Sequence, residues 1–425
     1  MSLVARTREI APLELLGQFA AAGGAARFYW LSADRALELA GAGEVRALEA
    51  SGPARLAVAA ERAAALWRDL ALEAPAVPGF VGPRLVGGFA FWDDAAPDTD
   101  WRGFPPLRFW LPRVLWARAG ERCFRTDVGP VAAECEARTS SCPRHAGASG
   151  FSASAAPSQA EFTALVARAT AAIHAGEIEK VVLARACTLL QHGGFDPARV
   201  LAALCDAQPG CAVYAVGLAG ATFVGATPER LVRRDGAAVQ ADALAGSAAR
   251  GRNPEEDARR GRALFESAKE RGEHAIVRRA VLSALAPVCS ALEASETPAL
   301  RRLEGIQHLH TAVSGRLAAE PPPSALELAA RLFPTPAVGG EPRAAALDFL
   351  RHHEDARRGW YSGGVGWLAP GGDGELCVAL RSALLRGDAA MLHAGVGVVA
   401  GSTPEAELEE TRWKLASALG ALVEL

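Results

Sequence analysis

The sequence predicts a mixed α/β protein in which helices and strands alternate without a regular repeat. Half of its 425 residues are hydrophobic and 22% are charged, which is typical of a globular chain with an extensive core. Apolar residues recur at helical spacing in some segments, and short β-branched runs predict strands in others. No G-x-G-x-x-G turn joins a strand to a helix, so a dinucleotide-binding fold is not expected.

The chain divides into three parts by composition. Residues 1–135 form the N-terminal part, in which alanine-rich helical patterns alternate with strand-like runs. Residues 136–157 are polar and rich in small side chains, which predicts a surface loop or linker. Residues 158–425 carry the strongest patterns. We therefore expect the chemistry of the protein to lie in this third part.

The third part opens with a helix, because Ser158 and Glu161 have the spacing of a capping box. Asn253, as an N-cap, predicts one long helix that continues to about residue 288. Glycine-rich turns then separate the later strands, and the last helix begins after Ser402 or Thr403. The predicted strands lie at 180–185, 212–218, 222–226, 363–367, 376–384 and 391–399.

Charge and cysteine usage exclude several classes of protein. The net charge of −3 leaves no global basic field to hold nucleic acid or an anionic membrane surface. No apolar run is long enough for a membrane helix, and charged residues near the N-terminus interrupt any signal peptide. The eight cysteines include no C-x-x-C pair, which argues against a disulfide scaffold and a cysteine zinc site. We expect a soluble, cytoplasmic protein.

Lysine is rare in this chain and therefore informative. Only Lys180, Lys269 and Lys414 are lysines among the 45 cationic residues, and the others are arginines. A solvated cation can be either residue, whereas an amine that must release its proton cannot be replaced by arginine. Lys180 stands at the entrance of a strand, where it could be a base or could simply protect a sheet edge. Lys269 has the pattern of an ordinary helix-surface residue.

Three glutamates could bind a metal ion. Glu273 lies within the predicted long helix, and Glu407 and Glu410 are three residues apart on the last helix, so they share a face. Carboxylates together with water suit Mg²⁺. Two alternatives need no metal: Glu407 could complement the helix dipole, and Glu410 could form a surface ion pair with Lys414.

His308 and His310 alternate on a strand-like stretch of the chain. Zinc is not expected there, because neither cysteines nor a third histidine occur at ligand spacing. Buried, hydrogen-bonded histidines are the simpler interpretation of both residues.

Ten short motifs follow one another along the chain. They are Lys180-Val-Val-Leu-Ala-Arg185, Phe223-Val-Gly-Ala-Thr-Pro-Glu-Arg230, Leu244-Ala-Gly-Ser247, Glu273-His274, His308-Leu-His-Thr311, Phe333-Pro-Thr-Pro-Ala337, Arg358-Gly-Trp-Tyr361, Leu380-Arg-Ser382, Ala394-Gly-Val-Gly397 and Glu407-x-x-Glu-Thr-x-x-x-Leu415. Together and in this order they resemble the motifs of the chorismate-utilising enzymes, a family that includes anthranilate, aminodeoxychorismate, salicylate and isochorismate synthases. The similarity covers residues 158–425 closely and the N-terminal part loosely.

The resemblance implies one large unit of packed antiparallel sheets flanked by helices, with 158–425 as the chorismate-binding core and 136–157 as a surface excursion. It also implies Mg²⁺ as cofactor, with Glu273 and Glu410 as ligands and Glu407 close by through water. Lys180 would be the base that activates a nucleophile at C2 of the ring, and Glu229 the acid that protonates the departing 4-hydroxyl. A lysine suits the first role, since an arginine could not give up its proton.

The resemblance places further residues around the substrate. Arg381 and Tyr361 would grip the enolpyruvyl carboxylate, which suits the fork of guanidinium donors. Glycines allow the backbone to approach the substrate closely. The complete set of expected substrate-binding residues is Gly246, His308, Ala337, Tyr361, Arg381, Gly395, Gly397 and Lys414.

Two absences favour water over ammonia as the nucleophile. Family members that install an amino group carry a threonine at the position matching Ala337, and they have an N-terminal L-L-E-S motif that this chain lacks. The expected product is isochorismate, and no glutaminase subunit is expected. Arg27-Phe-Tyr-Trp30 and Gly87-Gly-Phe-Ala-Phe91 are similar to isochorismate synthases and favour the menaquinone pathway.

Several alternatives stay open at this point. They are a siderophore pathway, further conversion to salicylate, an ammonia-using activity and a non-catalytic relative that only binds a ligand. The quaternary structure is expected to be a monomer or a homodimer.

Overall fold

Two large β-sheets form the frame of the protein in the computed structural model, which describes residues 3–23, 26–74, 81–94, 100–129, 151–355 and 357–423. Within these ranges the helices are α1 (Leu15–Ala21), α2 (Arg55–Asp69), α3 (Gln159–His174), α4 (Pro197–Ala207), α5 (Pro254–Glu266), α6 (Ala268–Leu285), α7 (Ala325–Leu332), α8 (Arg343–His353) and α9 (Pro404–Val423).

The strands within the same ranges are β1 (Val4–Ile10), β2 (Arg27–Leu31), β3 (Leu37–Ala42), β4 (Arg46–Glu49), β5 (Ala71–Glu73), β6 (Leu85–Phe89), β7 (Leu107–Leu111), β8 (Val114–Ala119), β9 (Arg122–Gly129), β10 (Phe151–Ala156), β11 (Lys180–Gln191), β12 (Ala212–Leu218), β13 (Ala221–Thr227), β14 (Arg230–Asp235), β15 (Ala238–Ala249), β16 (Cys289–Ala294), β17 (Ala299–Arg302), β18 (Ile306–Leu317), β19 (Gly340–Glu341), β20 (Gly364–Leu368), β21 (Gly374–Val378), β22 (Ser382–Arg386) and β23 (Ala389–Val398).

Neighbouring strands in both sheets are antiparallel, except that β1 and β5 pair in parallel. The first sheet has the order β10-β11-β23-β22-β13-β12-β2-β3-β8-β9-β1-β5, and β19 pairs with β11. The second sheet has the order β16-β18-β15-β14-β21-β20-β6-β7-β4, and β17 pairs with β18. The predicted fold class, packed antiparallel sheets flanked by helices, is confirmed.

The N-terminal part and the third part contribute strands to the same two sheets. Strand β2 pairs with β12 in the first sheet, and β6 pairs with β20 in the second. Residues 130–150, which include most of the predicted linker, lie outside the described residues. The rest of that tract, Phe151–Ala156, forms the edge strand β10, where it covers β11 by antiparallel pairing.

Alternating side chains along the strands divide the core into layers. Phe28 and Trp30 of β2 pack between the two sheets, whereas Tyr29 points to the opposite face, towards Leu15 and Phe19 of α1. The outer face of the second sheet packs against α2 and α7. The result is a sandwich of two sheets between helices, with aromatic side chains at its centre.

The long helix predicted from Asn253 to about residue 288 is wrong in one respect, because it is broken at Ser267. Ser267 adopts an extended conformation (ψ 118°), ends α5, and caps α6 by accepting a hydrogen bond from the backbone N–H of Glu270. The break gives α6 its own direction, and Glu273 on α6 reaches the cavity described below. No helix among the described residues combines the length and the apolar character needed to cross a bilayer.

Candidate active site

A cavity that is open to solvent, with about 750 Å³ of empty space, lies where β11 and β23 of the first sheet meet β15 and β18 of the second. Helices α6 and α9 each contribute one lining residue, Glu273 and Lys414. Ten of the thirteen site residues predicted from the sequence line this cavity: Glu229, Gly246, Glu273, His308, Ala337, Tyr361, Arg381, Gly395, Gly397 and Lys414. The other three do not line it. Lys180 is buried at the start of β11, and Glu407 and Glu410 lie on α9.

Lys180, the first residue of β11, is completely buried and forms an ion pair with Glu273. Its Nζ lies 2.9 Å from Oε1 of Glu273. Burial raises the pKa of a carboxyl, but the neighbouring ammonium of Lys180 outweighs this and holds the pKa of Glu273 below its usual value. The expected base and one expected metal ligand are therefore paired with each other.

Gly397 leaves the space that this ion pair occupies. Val182 of β11 is paired in register with Gly397 of β23, so Lys180 lies close to the same point of the sheet. A Cβ atom at position 397 would lie 2.1 Å from Glu273 Oε1 and 3.0 Å from Lys180 Cε. Only glycine allows both side chains to reach their observed positions.

Glu229 lies in the short connection between β13 and β14. The backbone fixes it on both sides: its N–H donates to Thr227 Oγ1 and its C=O accepts from the N–H of Val378. Within the described structure, its buried Oε1 has no hydrogen-bond partner. Burial, followed by the charge of Asp242, raises the pKa of Glu229 to about 8, so the side chain is protonated at neutral pH.

Arg381 and His308 form a joined pair on the cavity wall. An Nη2–H of Arg381 donates to Nε2 of His308 at 2.8 Å, and Nδ1 of His308 is 3.3 Å from the C=O of Gly246. Since arginine can only donate, Nε2 accepts and Nδ1 carries the proton. Burial and the charge of Arg381 hold the pKa of His308 well below its usual value. The histidine is thus a neutral support for the guanidinium, whose Nη1 has no partner among the described residues.

Tyr361 is supported from behind by a histidine that the sequence analysis did not single out. The rings of Tyr361 and His393 are stacked, with centroids 4.8 Å apart and an interplanar angle of 13°. His393, Gly395 and Gly397 alternate along β23, and all three line the cavity. The period-2 alternation from the two predicted glycines could therefore have identified His393.

Arg358 supports the cavity wall from inside the protein. Its guanidinium forms a two-point ion pair with Glu354 and donates to the C=O groups of Val182 and Val338. These contacts tie β11 to the segment that carries Ala337, which also lines the cavity. The first and last residues of the R-G-W-Y motif, Arg358 and Tyr361, thus both line the cavity, and Arg358 also holds its wall together.

The three lysines of the chain converge on one acidic cluster, which we define as Glu270, Glu273, Glu407 and Glu410. Lys180 pairs with Glu273. Lys269 Nζ lies 2.8 Å from Glu407 Oε1 and 3.3 Å from Glu270 Oε1. Lys414 Nζ lies 2.7 Å from Glu410 Oε1 and donates to the C=O of Gly395.

This arrangement changes the interpretation of two lysines. Lys269 is held between two carboxylates, so its expected role as an ordinary surface residue was wrong. Lys414 forms the i,i+4 pair with Glu410, yet it also reaches the cavity, and the plain surface pair does not describe it. The rarity of lysine was the signal that could have identified Lys269.

The acidic cluster has the donor chemistry that Mg²⁺ prefers, namely carboxylate oxygens beside a cavity that can hold water. The acids act on one another: after burial, the charge of Glu410 raises the pKa of Glu407, and that of Glu273 raises the pKa of Glu270. A divalent cation would relieve this repulsion. In the described part of the chain, no three acidic, histidine or cysteine side chains are already gathered as a metal site.

Comparison with known proteins finds relatives that match the whole length of this chain. A family model described as chorismate binding enzyme matches residues 1–423. The salicylate biosynthesis isochorismate synthase of Pseudomonas aeruginosa is 36% identical to this chain, and the match covers 100% of this chain and 92% of that protein. The isochorismate synthase MenF of Bacillus subtilis is 32% identical over 80% of this chain and 75% of its own length.

Solved structures show the same similarity in three dimensions. The structure of MenF, the menaquinone-specific isochorismate synthase from Escherichia coli, superposes with a TM-score of 0.82 at 26% sequence identity. The superposition covers 99% of this chain and 94% of that one. The similarity in fold thus includes the N-terminal part of the chain, where the sequence motifs are sparse.

Proposed function

The chain belongs to the family of chorismate-binding enzymes, and we propose that it is an isochorismate synthase that converts chorismate reversibly to isochorismate. Relatives named for salicylate and for menaquinone biosynthesis both match it. The proposal therefore concerns the reaction that these relatives share. The observation that carries it is a buried, protonated Glu229 on the wall of the cavity that adjoins the Lys180–Glu273 pair.

Glu229 is proposed as the general acid. Isochorismate formation requires a proton for the 4-hydroxyl, which then leaves as water while both ring double bonds shift. A carboxyl with its pKa near 8 still carries its proton at neutral pH, and its Oε1 has no partner within the described structure. The rigid connection between β13 and β14 would hold this proton donor beside the ring.

Lys180 is proposed as the general base, which accepts a proton from the water that adds to C2. In the structure, its Nζ lies 2.9 Å from Oε1 of Glu273. Glu273 and Glu410 would hold Mg²⁺, with Glu407 near it. When bound, the ion would neutralise the ring carboxylate, favour electron withdrawal from the diene, and balance the charge of Glu273, the partner of Lys180.

Arg381 and Tyr361 are proposed to hold the enolpyruvyl carboxylate. The Nη1 of Arg381 has no partner among the described residues, while His308 fixes its other nitrogen. A planar guanidinium that is already oriented loses little freedom when it binds a carboxylate. Gly246, Gly395 and Ala337 would leave room for the ring.

The proposal is tested by incubating the purified protein with chorismate and Mg²⁺, with and without ammonium, and separating the products. Isochorismate is expected in both mixtures. Salicylate with pyruvate would contradict the proposed reaction, and so would aminodeoxychorismate or anthranilate in the ammonium sample. Recovery of unchanged chorismate would indicate a protein that binds its ligand without converting it.

A further inference from the structure

A second carboxylate lies buried behind Glu229 and belongs to none of the groups described above. Asp242 on β15 is 7% exposed, and its side chain contacts three strands of the second sheet. Its Oδ2 accepts a hydrogen bond from the backbone N–H of Arg230 at 3.0 Å, the peptide directly after Glu229. Its Oδ1 lies 2.9 Å from Nε2 of His310, and Arg301 Nη1 lies 3.7 Å from Oδ2.

Asp242 stays ionised in spite of its burial. Burial raises its pKa, but the hydrogen bond from His310 and the charges of His310 and Arg301 outweigh this and lower it. A permanent negative charge is thus held on the protein side of Glu229. It is attached to the backbone that carries Glu229, so the two carboxyls cannot move apart independently.

We propose that Asp242 is a positioning residue that keeps the Glu229 carboxyl protonated and fixes the connection between β13 and β14. The inference rests on the function proposed above, in which Glu229 is the acid. A buried anion opposes the formation of a second anion nearby, because their repulsion is weakly screened in the interior. Asp242 therefore acts on the reaction only through Glu229.

Other charged groups around Glu229 lower its pKa and so oppose the effect of Asp242. Three cations on three different elements favour the ionised form of Glu229, and Tyr361 faces it as a neutral phenol. The cations are Lys180 on β11, Arg301 on β17 and Lys414 on α9. Without Asp242, these cations would act on Glu229 unopposed except by burial.

Asp242→Asn tests the charge while it preserves the shape. The amide oxygen can still accept from the N–H of Arg230, and the amide N–H can donate to Nε2 of His310 in its other tautomer. The proposal predicts that the alkaline limb of the kcat/KM profile moves to lower pH. The ratio of kcat/KM at pH 8.5 to that at pH 6.5 should fall roughly tenfold relative to the wild-type protein.

A matched variant works in the opposite direction and is expected to fold, since Arg301 lies on the edge strand β17. Arg301→Gln removes a cation near Glu229, so the alkaline limb should move to higher pH. Unchanged limbs in Asp242→Asn and Arg301→Gln would overturn the proposal. If Asp242→Asn does not fold, Asp242→Ser, which also removes the charge, replaces it in this test.

A measurement without turnover separates this inference from the proposed function. The C=O stretch of a protonated carboxyl can be followed by infrared titration, with Glu229→Gln identifying the band of Glu229. This band should disappear at lower pH in Asp242→Asn than in the wild-type protein. The same midpoint in both proteins would overturn the role of Asp242 even if chorismate is converted. Absence of conversion with a shifted midpoint would instead contradict only the proposed function.

Discussion

Glu273 Oε1 lies 2.9 Å from Lys180 Nζ, and the two side chains meet over the bare backbone of Gly397. One residue comes from α6 and the other from the first strand of the third part, so the pair joins a helix to the first sheet. The amine proposed as base and the acid proposed as metal ligand therefore share one environment. A change at Gly397 should disturb both at once.

Gly397→Ala should abolish turnover while the protein stays folded. The added Cβ would stand 2.1 Å from Glu273 Oε1, which forces the carboxylate away from Lys180. We expect kcat to fall by about a hundredfold or more, because a small displacement of a catalytic group is costly. Steady-state kinetics would measure turnover, and far-UV circular dichroism would show that the protein is folded.

Gly272→Ala is the matched control, because no atom lies within 4 Å of the Cβ it would add. It introduces the same methyl group on α6, one residue before Glu273, and its kinetics should match those of the wild-type protein. Full activity in Gly397→Ala would show that the Lys180–Glu273 geometry is not required.

The pH dependence should follow Glu229. Because its pKa is raised to about 8, kcat/KM should decline as pH rises through about 8, when the acid loses its proton. Stability should decline as well between pH 4.5 and 8, since the folded protein retains a proton that the unfolded chain releases. Glu229→Gln should be inactive and should show a flatter dependence of unfolding free energy on pH. A wild-type profile that is flat to pH 10 would contradict this assignment.

Lys269→Met should destabilise the metal-free protein. Glu407 is 1% exposed in its side chain and depends on Lys269 for its counter-charge. Loss of one partner leaves a buried charge, and we expect the free energy of unfolding in urea to fall by about 2 kcal/mol. Adding Glu407→Gln should restore most of this loss. If the two substitutions instead change the free energy of unfolding additively, the observed ion pair is absent in solution.

Arg381→Lys should weaken substrate binding more than catalysis. Lysine keeps the charge but loses the fork and the hydrogen bond to His308, so KM for chorismate should rise roughly tenfold or more while kcat changes less. Arg233→Lys, on β14 and outside the cavity, is the control and should leave KM unchanged. A fall in kcat with unchanged KM would place Arg381 in the chemical step instead.

Much of the fold could be predicted because patterns along the chain are local. The capping box of Ser158 and Glu161 is present, and Asn253 caps α5 as expected. The break at Ser267 was missed because helical residues continue on both sides, although Ser267 and Glu270 have the same S-x-x-E spacing as Ser158 and Glu161. Pairing of β2 with β12 joins residues far apart in the chain, and no local pattern encodes it.

The same limit applies to the candidate site, where local patterns could be predicted and contacts between distant segments could not. Residues with unusual chemistry, such as Glu273 and the rare lysines, could be singled out by type and spacing. The side chains that these residues contact could not be predicted, because the contacts depend on which helices and strands pack together. Lys269 looked like a surface residue on α6 until α9 brought Glu407 against it. Asp242 gave no signal at all, since a lone aspartate in a strand becomes informative only beside Glu229.

In the proposed reaction water adds to the ring as the 4-hydroxyl leaves, and isotope labelling follows the oxygen of that water into the product. Chorismate and Mg²⁺ are incubated with the protein in H₂¹⁸O, and the product is sampled early, before the reverse reaction exchanges other positions. We expect isochorismate with one ¹⁸O in its ring hydroxyl at C2, and the same label should be absent with Lys180→Ala because no product forms. Isochorismate that forms without ¹⁸O would contradict the mechanism, since its hydroxyl would then have come from chorismate itself.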